Sequence, residues 1–184
     1  MKNLRTIIVA VIAVCLVIGY YFYISNRESK GEQPMTEAEK LISKNLETSY
    51  PKTPREVMKF YTQIQKFLYN ENYTEEEFEK IVLQIRKLLD EDLLAKNEER
   101  QYHLLLKSEI ETFKKDKKSM VRISISESKE IIYKEVEGRE CAYVDASYFM
   151  KTKKETQRSN QAYVLRKSEE GKWKIVAFKQ EDSF

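Results

Sequence analysis

The stretch Lys114-Lys-Asp-Lys-Lys-Ser-Met-Val-Arg-Ile-Ser-Ile-Ser126 decides the fold, because hydrophobic periodicity changes inside it. Before it, apolar residues recur every three or four positions, as on one face of a helix. After it, Val121, Ile123 and Ile125 alternate with Arg122, Ser124 and Ser126, the two-residue period of a half-buried strand. Helices therefore come first and strands afterwards, with no helical pattern between the strands. That order defines an α+β domain whose sheet is antiparallel.

Working back from Lys114, three helix starts share one chemical signature. Thr36-Glu-Ala-Glu39, Thr53-Pro-Arg-Glu56 and Thr74-Glu-Glu-Glu77 each place a hydroxyl at N-cap and a carboxylate three residues on, the capping box. Pro54 falls at the first helical position, and Tyr73 and Phe78 bracket the third box as a hydrophobic staple. Val57, Phe60, Tyr61, Ile64, Phe67 and Leu68 form one apolar stripe. Phe78, Ile81, Val82, Ile85, Leu88 and Leu89 form a second. A further helix is expected from about Glu98 to Lys117, burying Tyr102, Leu105, Leu106, Ile110 and Phe113, with the cations after Phe113 complementing its dipole. The short helix from Thr36 has a poor stripe and reads as a stalk.

Forward from Ser126, strands are expected at Ile131 to Glu137, Cys141 to Lys151, Asn160 to Lys167 and Trp173 to Gln180. In the long Cys141 strand, Ala142, Val144, Ala146, Tyr148 and Met150 share one face, and Tyr143, Asp145, Ser147 and Phe149 the other. Gly138 supplies a turn, and Ser-Glu-Glu-Gly171 a hairpin connection.

The amino terminus is of another kind. Thr6 to Ile24 is 19 residues without a charge, roughly 28 Å long as a helix and close to the hydrocarbon thickness of a bilayer. The expected organisation is a cytoplasmic stub, a transmembrane anchor (6–24) and the start of a linker within 1–30, a linker and short helix over 31–52, and the α+β domain over 53–184. Ile7, Val11, Leu16, Ile18, Tyr21 and Phe22 are the expected lipid-facing anchor residues, with membrane lipid as their partner. A cleaved signal peptide opens in the same way, but cleavage requires small residues beyond the apolar run, and Tyr20 to Tyr23 stand there. A very short amino terminus favours exporting the rest, so the domain is expected outside the cytoplasm as part of a single-pass cell-membrane protein.

Composition narrows the function. The 184 residues carry 33 Lys+Arg and 30 Asp+Glu, of which residues 1–30 hold four and one, leaving 29 of each. A nucleic-acid binder needs a basic excess, and none is present. With 4 Gly, 2 Cys and 1 His, phosphate loops, disulfide frameworks and zinc ribbons are excluded, and neither a metal nor a cofactor is expected. His103 and Cys141 read as structural side chains. Asp145 is the one catalytic candidate: a carboxylate projecting into an apolar pocket could abstract a proton, whereas on the solvent face it would be inert. Lys151, Lys153, Lys154 and Arg158 gather near a hairpin tip, a solvated loop or a contact for anionic wall polymer or lipid.

Three helices followed by an antiparallel meander ending in Gly-Lys-Trp-Lys-Ile-Val176 resemble the nuclear transport factor 2-like superfamily. The Arg55-Glu-Val-Met-Lys-Phe-Tyr61 helix and the acidic Leu88-Leu-Asp-Glu-Asp-Leu-Leu94 segment are similar to that fold's early helices, so the resemblance covers about residues 54 to 180. A short anchor before such a domain is similar to uncharacterised membrane-anchored bacterial families. In layout it also resembles a type IV secretion assembly protein. The resemblance implies about three helices packed into a curved sheet of four to five strands, with a pocket at the open end. Some members of the superfamily use that pocket for isomerase or hydrolase chemistry and many only bind partners, and no catalytic motif carries over to this sequence.

The expected function is thus a membrane-anchored, extracytoplasmic, non-catalytic domain binding a protein partner or small ligand. Alternatives are an assembly subunit of a secretion or conjugation channel and a small isomerase-like enzyme using Asp145. A reporter enzyme fused to the carboxyl terminus is expected to be active only in its exported form; cytoplasmic reporter activity would reverse the orientation.

Overall fold

The structure, a computed structural model, describes residue 14 and residues 16–22 and 34–181. It divides into a unit up to Met35 and a unit from Thr36 onward. In the first, residues 16–22 are helical, with Leu16, Ile18, Tyr21 and Phe22 exposed. Ile7, Val11 and most of the expected anchor lie outside the described residues. Among the described residues, no helix is long and apolar enough to cross a membrane.

The second unit holds helices α1 (Glu37–Ser43), α2 (Pro54–Asn70), α3 (Glu75–Leu88), α4 (Glu91–Lys96) and α5 (Glu99–Lys115). Strands β1 (Ser119–Ile125), β2 (Ile132–Val136), β3 (Arg139–Lys151), β4 (Thr156–Lys167) and β5 (Trp173–Glu181) follow. The fold class is α+β. All three capping boxes close, with Thr36, Thr53 and Thr74 each accepting from the backbone N–H of the glutamate three residues later. Tyr73 stacks on Phe78 with ring centroids 5.6 Å apart.

The sheet is antiparallel in the order β1-β3-β4-β5. β2 pairs with the first half of β3 on the same edge that β1 occupies along the second half. Glu137 and Gly138 both have positive φ, 53° and 75°, the pairing that a two-residue hairpin twisted like its strands requires. The register of β3 follows the alternation: Ala142, Val144, Ala146 and Tyr148 are buried, whereas Asp145 is exposed.

Helix α2 lies on the inner face, contacting β1, β3 and β5 below and α1, α3 and α5 around it. Both its ends are tied to β1. Near its start, the Arg55 Nε donates to the Ser126 carbonyl (2.9 Å). At its end, the Asn70 carboxamide exchanges two 2.8 Å hydrogen bonds with Met120, completing the backbone beside the irregularity between Met120 and Arg122. The helix therefore runs antiparallel to β1.

Two sequence expectations change. Helix α1 is not a stalk: Ala38 and Leu41 are buried in the common core, and the buried Gln84 amide donates to the carbonyls of Ile42 (2.6 Å) and Lys44 (3.0 Å). A two-turn apolar face sufficed because α3 already offered a complementary one. Leu105 is not buried but 61% exposed, on the side of α5 turned toward open space above the sheet. The acidic run at Asp90 ties the helices to the sheet: Asp90 is buried, caps α4 through the Asp92 N–H (3.0 Å), and takes a bidentate grip from Arg166 of β4. Arg166 also holds Asp92 at 2.6 Å.

Next to this cluster, the Asp90 N–H donates to the Ile175 carbonyl (2.8 Å), fastening the helices to β5. Removing the guanidinium leaves a buried carboxylate uncompensated. Arg166→Ala is expected to lower the unfolding free energy in urea by about 3 kcal/mol. The exposed Lys167–Glu140 pair (2.9 Å) is expected to contribute below about 0.5 kcal/mol in a Lys167→Ala control.

Candidate binding cavity

Between α2, α5 and the inner face of β3, β4 and β5 lies a cavity of about 520 Å³. Each wall is one periodic stripe. On α2, Tyr61, Gln65 and Tyr69 are spaced by four residues and share a face. On α5, Tyr102, Leu106, Glu109 and Phe113, spaced by three or four, also share a face. From the sheet, Tyr148 and Met150 on β3, Ser159, Gln161 and Tyr163 on β4, and Phe178 on β5 point inward at alternate positions. Leu105 and Phe178, 61% and 55% exposed, stand at its rim.

The polar groups form two sets. On the α5 side, the Tyr69 hydroxyl donates to Glu109 Oε1 at 2.5 Å. At the floor, the Tyr148 hydroxyl donates to Gln65 Oε1 (2.8 Å) and the Tyr163 hydroxyl to Gln161 Oε1 (2.5 Å), while the two phenol oxygens lie 2.6 Å apart. With both carboxamides presenting oxygen, two protons would serve three contacts. A half-turn of the Gln65 carboxamide supplies the third, because 2.8 Å is an ordinary N–H···O distance and carboxamide orientation follows the network. The chain then runs Gln65 to Tyr148 to Tyr163 to Gln161, with every contact holding one proton.

Burial keeps these phenols neutral. It pushes Tyr102 up to about 12, against a smaller opposing pull from Arg86. Burial likewise raises Tyr61, Tyr69, Tyr148 and Tyr163 well above the usual phenol value, and the bond to Glu109 adds to the effect at Tyr69. These side chains can donate and accept hydrogen bonds at neutral pH but are not bases.

Asp145 is not part of this site. It lies on the outer face of β3, exposed beside Ser126, whose Oγ accepts from the Asp145 N–H at 3.1 Å. Alternation along β3 decides between the solvent face and a pocket, since Tyr148 and Met150 occupy the face that the cavity uses. His103 is half-buried against Phe78, ring centroids 5.4 Å apart, with its Nε2 unpartnered among the described residues. Cys141 is buried, and burial pushes its thiol up. Arg158, from the basic cluster, donates to Ser147 (2.9 Å) and Asn160 (2.8 Å) on the outer sheet face. Among the described residues, no three His, Cys, Asp or Glu side chains gather as a metal site would require.

Tyr61, Tyr102, Phe113 and Tyr148 are legible in the sequence as apolar-face residues, and the polar part of the lining also leaves a signal. Ser159 and Gln161 are polar at inward strand positions, and Gln65 interrupts an otherwise apolar helix stripe. Polar residues at core positions mark a space that side chains do not fill.

What the fold and cavity define is an α+β domain with a single helix-roofed sheet and a ligand-sized space beneath the roof. The chain belongs to the family described as Domain of unknown function (DUF6715), which matches residues 1–178, the amino-terminal segment together with the domain. No curated protein matches the chain.

The raised phenols set an alkaline limit on stability. Above about pH 10 an unfolded chain loses phenolic protons that the folded chain retains. Stability is therefore intact below that pH and falls as pH rises beyond it. In a spectrophotometric titration near 295 nm, the absorbance of the five cavity tyrosines is expected to appear only as helical ellipticity is lost; their ionisation near pH 10 with the fold intact would contradict this.

Proposed function

We propose that this chain is a single-pass membrane protein whose α+β domain, of the nuclear transport factor 2-like type, stands outside the cytoplasm and binds a small ligand without transforming it. The observation that carries the reading is the cavity of about 520 Å³ between the helices and the inner sheet face. That volume is within the range of small-molecule sites, and the lining has their character: mostly apolar and aromatic, with a few placed polar groups.

Its chemistry favours binding over turnover. General acid–base catalysis needs a group poised to exchange a proton. Here the phenols are held neutral by burial, and the one carboxylate in the lining already accepts from Tyr69. The isomerase-like reading placed its base on Asp145, which lies on the opposite face of the sheet. The channel-assembly reading rests on layout, and no side-chain arrangement described above favours it.

Anchoring is supported by the uncharged run from Thr6 to Ile24 and by the exposed apolar side chains of Leu16, Val17 and Ile18 in the helical residues 16–22. The family match, which includes this segment with the domain, is consistent with both acting as one protein. A domain of this kind on a membrane leash would capture a ligand at the cell surface.

Native mass spectrometry of the full chain released from its own membranes tests the reading. Wild type is expected to carry a bound small molecule. Ser159→Trp, which places an indole in the cavity, is expected to lose it while keeping the far-ultraviolet spectrum of the fold. Equal ligand occupancy in both would remove the cavity as the site.

A further inference from the structure

We propose that the cavity takes a monovalent organic ammonium ion bearing apolar groups, an inference that rests on the cavity being a binding site. The lining's charge is the first ground. Among the described residues that line it, Glu109, itself exposed to solvent, is the one charged side chain, and no Lys, Arg or His is present. An anionic ligand would meet that carboxylate with no compensating charge, and burying an unpaired charge is strongly unfavourable. Arg86, over the Tyr102 ring at 5.9 Å from its centroid and not itself in the lining, is engaged by the Asn97 carbonyl (3.0 Å) and Glu99 (3.7 Å).

Ring geometry is the second ground. A cation is attracted to the negative face of an aromatic ring, more so where water is excluded, and cages of several rings recognise substituted ammonium groups this way. Tyr69 meets Phe113 at 4.9 Å and 85°, and Tyr61 meets Tyr163 at 5.8 Å and 71°. Edge-to-face packing turns these rings in different directions around one space. Oxygen atoms add to the same field: no hydrogen bond to another described residue engages the hydroxyl of Tyr61 or Tyr102, which leaves their lone pairs available.

Size and donor set exclude a bare metal ion. A divalent hard cation calls for six or more oxygen ligands with several carboxylates, and one carboxylate is present. The remaining volume is bounded by Leu93, Leu106 and Met150, suited to alkyl or aryl substituents on the ammonium nitrogen.

The full-length chain in phosphatidylglycerol nanodiscs, with empty discs as blank, is titrated calorimetrically with benzyltrimethylammonium, 3-phenylpropan-1-ol and 3-phenylpropanoate. The ammonium is expected to bind about tenfold tighter than the alcohol, and the carboxylate more weakly than either. Glu109→Gln keeps an acceptor for Tyr69 and is expected to weaken the ammonium about tenfold while leaving the alcohol unchanged. Equal or tighter binding of the alcohol or carboxylate overturns the ammonium assignment and leaves the cavity as a binding site. Failure of all three probes to bind a chain shown to be folded by circular dichroism overturns both. Repeating the titration in phosphatidylcholine discs identifies the source: weakened binding points to a lipid headgroup, unchanged binding to a free amine, and either supports the ammonium class.

Discussion

Helix α2 can lie on this sheet in one way, and the rest of the domain depends on it. Arg55 bonds the carbonyl at the end of β1, and Asn70 pairs with the backbone at its beginning. With both ends pinned, the helix cannot slide or rotate without breaking a hydrogen bond in a half-buried setting, where an unpaired polar group costs about 1–3 kcal/mol. Its rotation sets which stripe meets the sheet. Val57, Ile64 and Leu68 are fully packed, and Tyr61, Gln65 and Tyr69 stand where the core borders the cavity.

The cavity follows from that placement. β3 and β4 pair along their whole length, from Cys141 with Arg166 to Lys151 with Thr156, and they outrun the part of the sheet that α2 and α3 cover. α5 closes the space from the side but leaves Leu105 and Phe178 at an open rim. Large phenols line much of what remains, beside Leu93, Leu106 and Met150, since a tyrosine can pack its ring against the core and satisfy its hydroxyl across a gap. The Gln65–Tyr148–Tyr163–Gln161 chain is that solution: one hydrogen bond per contact, running across two strands and a helix. Holding these groups in place needs the sheet and helix layers fixed to each other at the other end, which the buried Asp90–Arg166 pair and the Asp90–Ile175 backbone bond accomplish.

A site of this construction is suited to selecting a ligand by shape and charge. Its hydrogen-bonding groups are fixed before anything enters, its phenols remain neutral through the physiological range, and its one carboxylate accepts from the Tyr69 hydroxyl. Preorganisation of this sort improves affinity by reducing the ordering that binding requires.

Much of the architecture is local and was legible along the chain. Capping boxes at Thr36, Thr53 and Thr74, the change of period at Ser119 to Ile125, and the alternation through β3 are short-range patterns that backbone geometry translates directly into helices and strands. The sequence by itself therefore determined the α+β order, the antiparallel sheet and the outward or inward facing of Asp145 and Tyr148 as opposites. Only the tertiary structure decided which face covers the cavity, that α1 joins the core, that Asp90 is buried against Arg166 some 76 residues away, and that Gln65, Glu109 and Gln161 share one space. Those outcomes depend on how layers approach one another in three dimensions, and no periodicity within a single element encodes the distance to its neighbour.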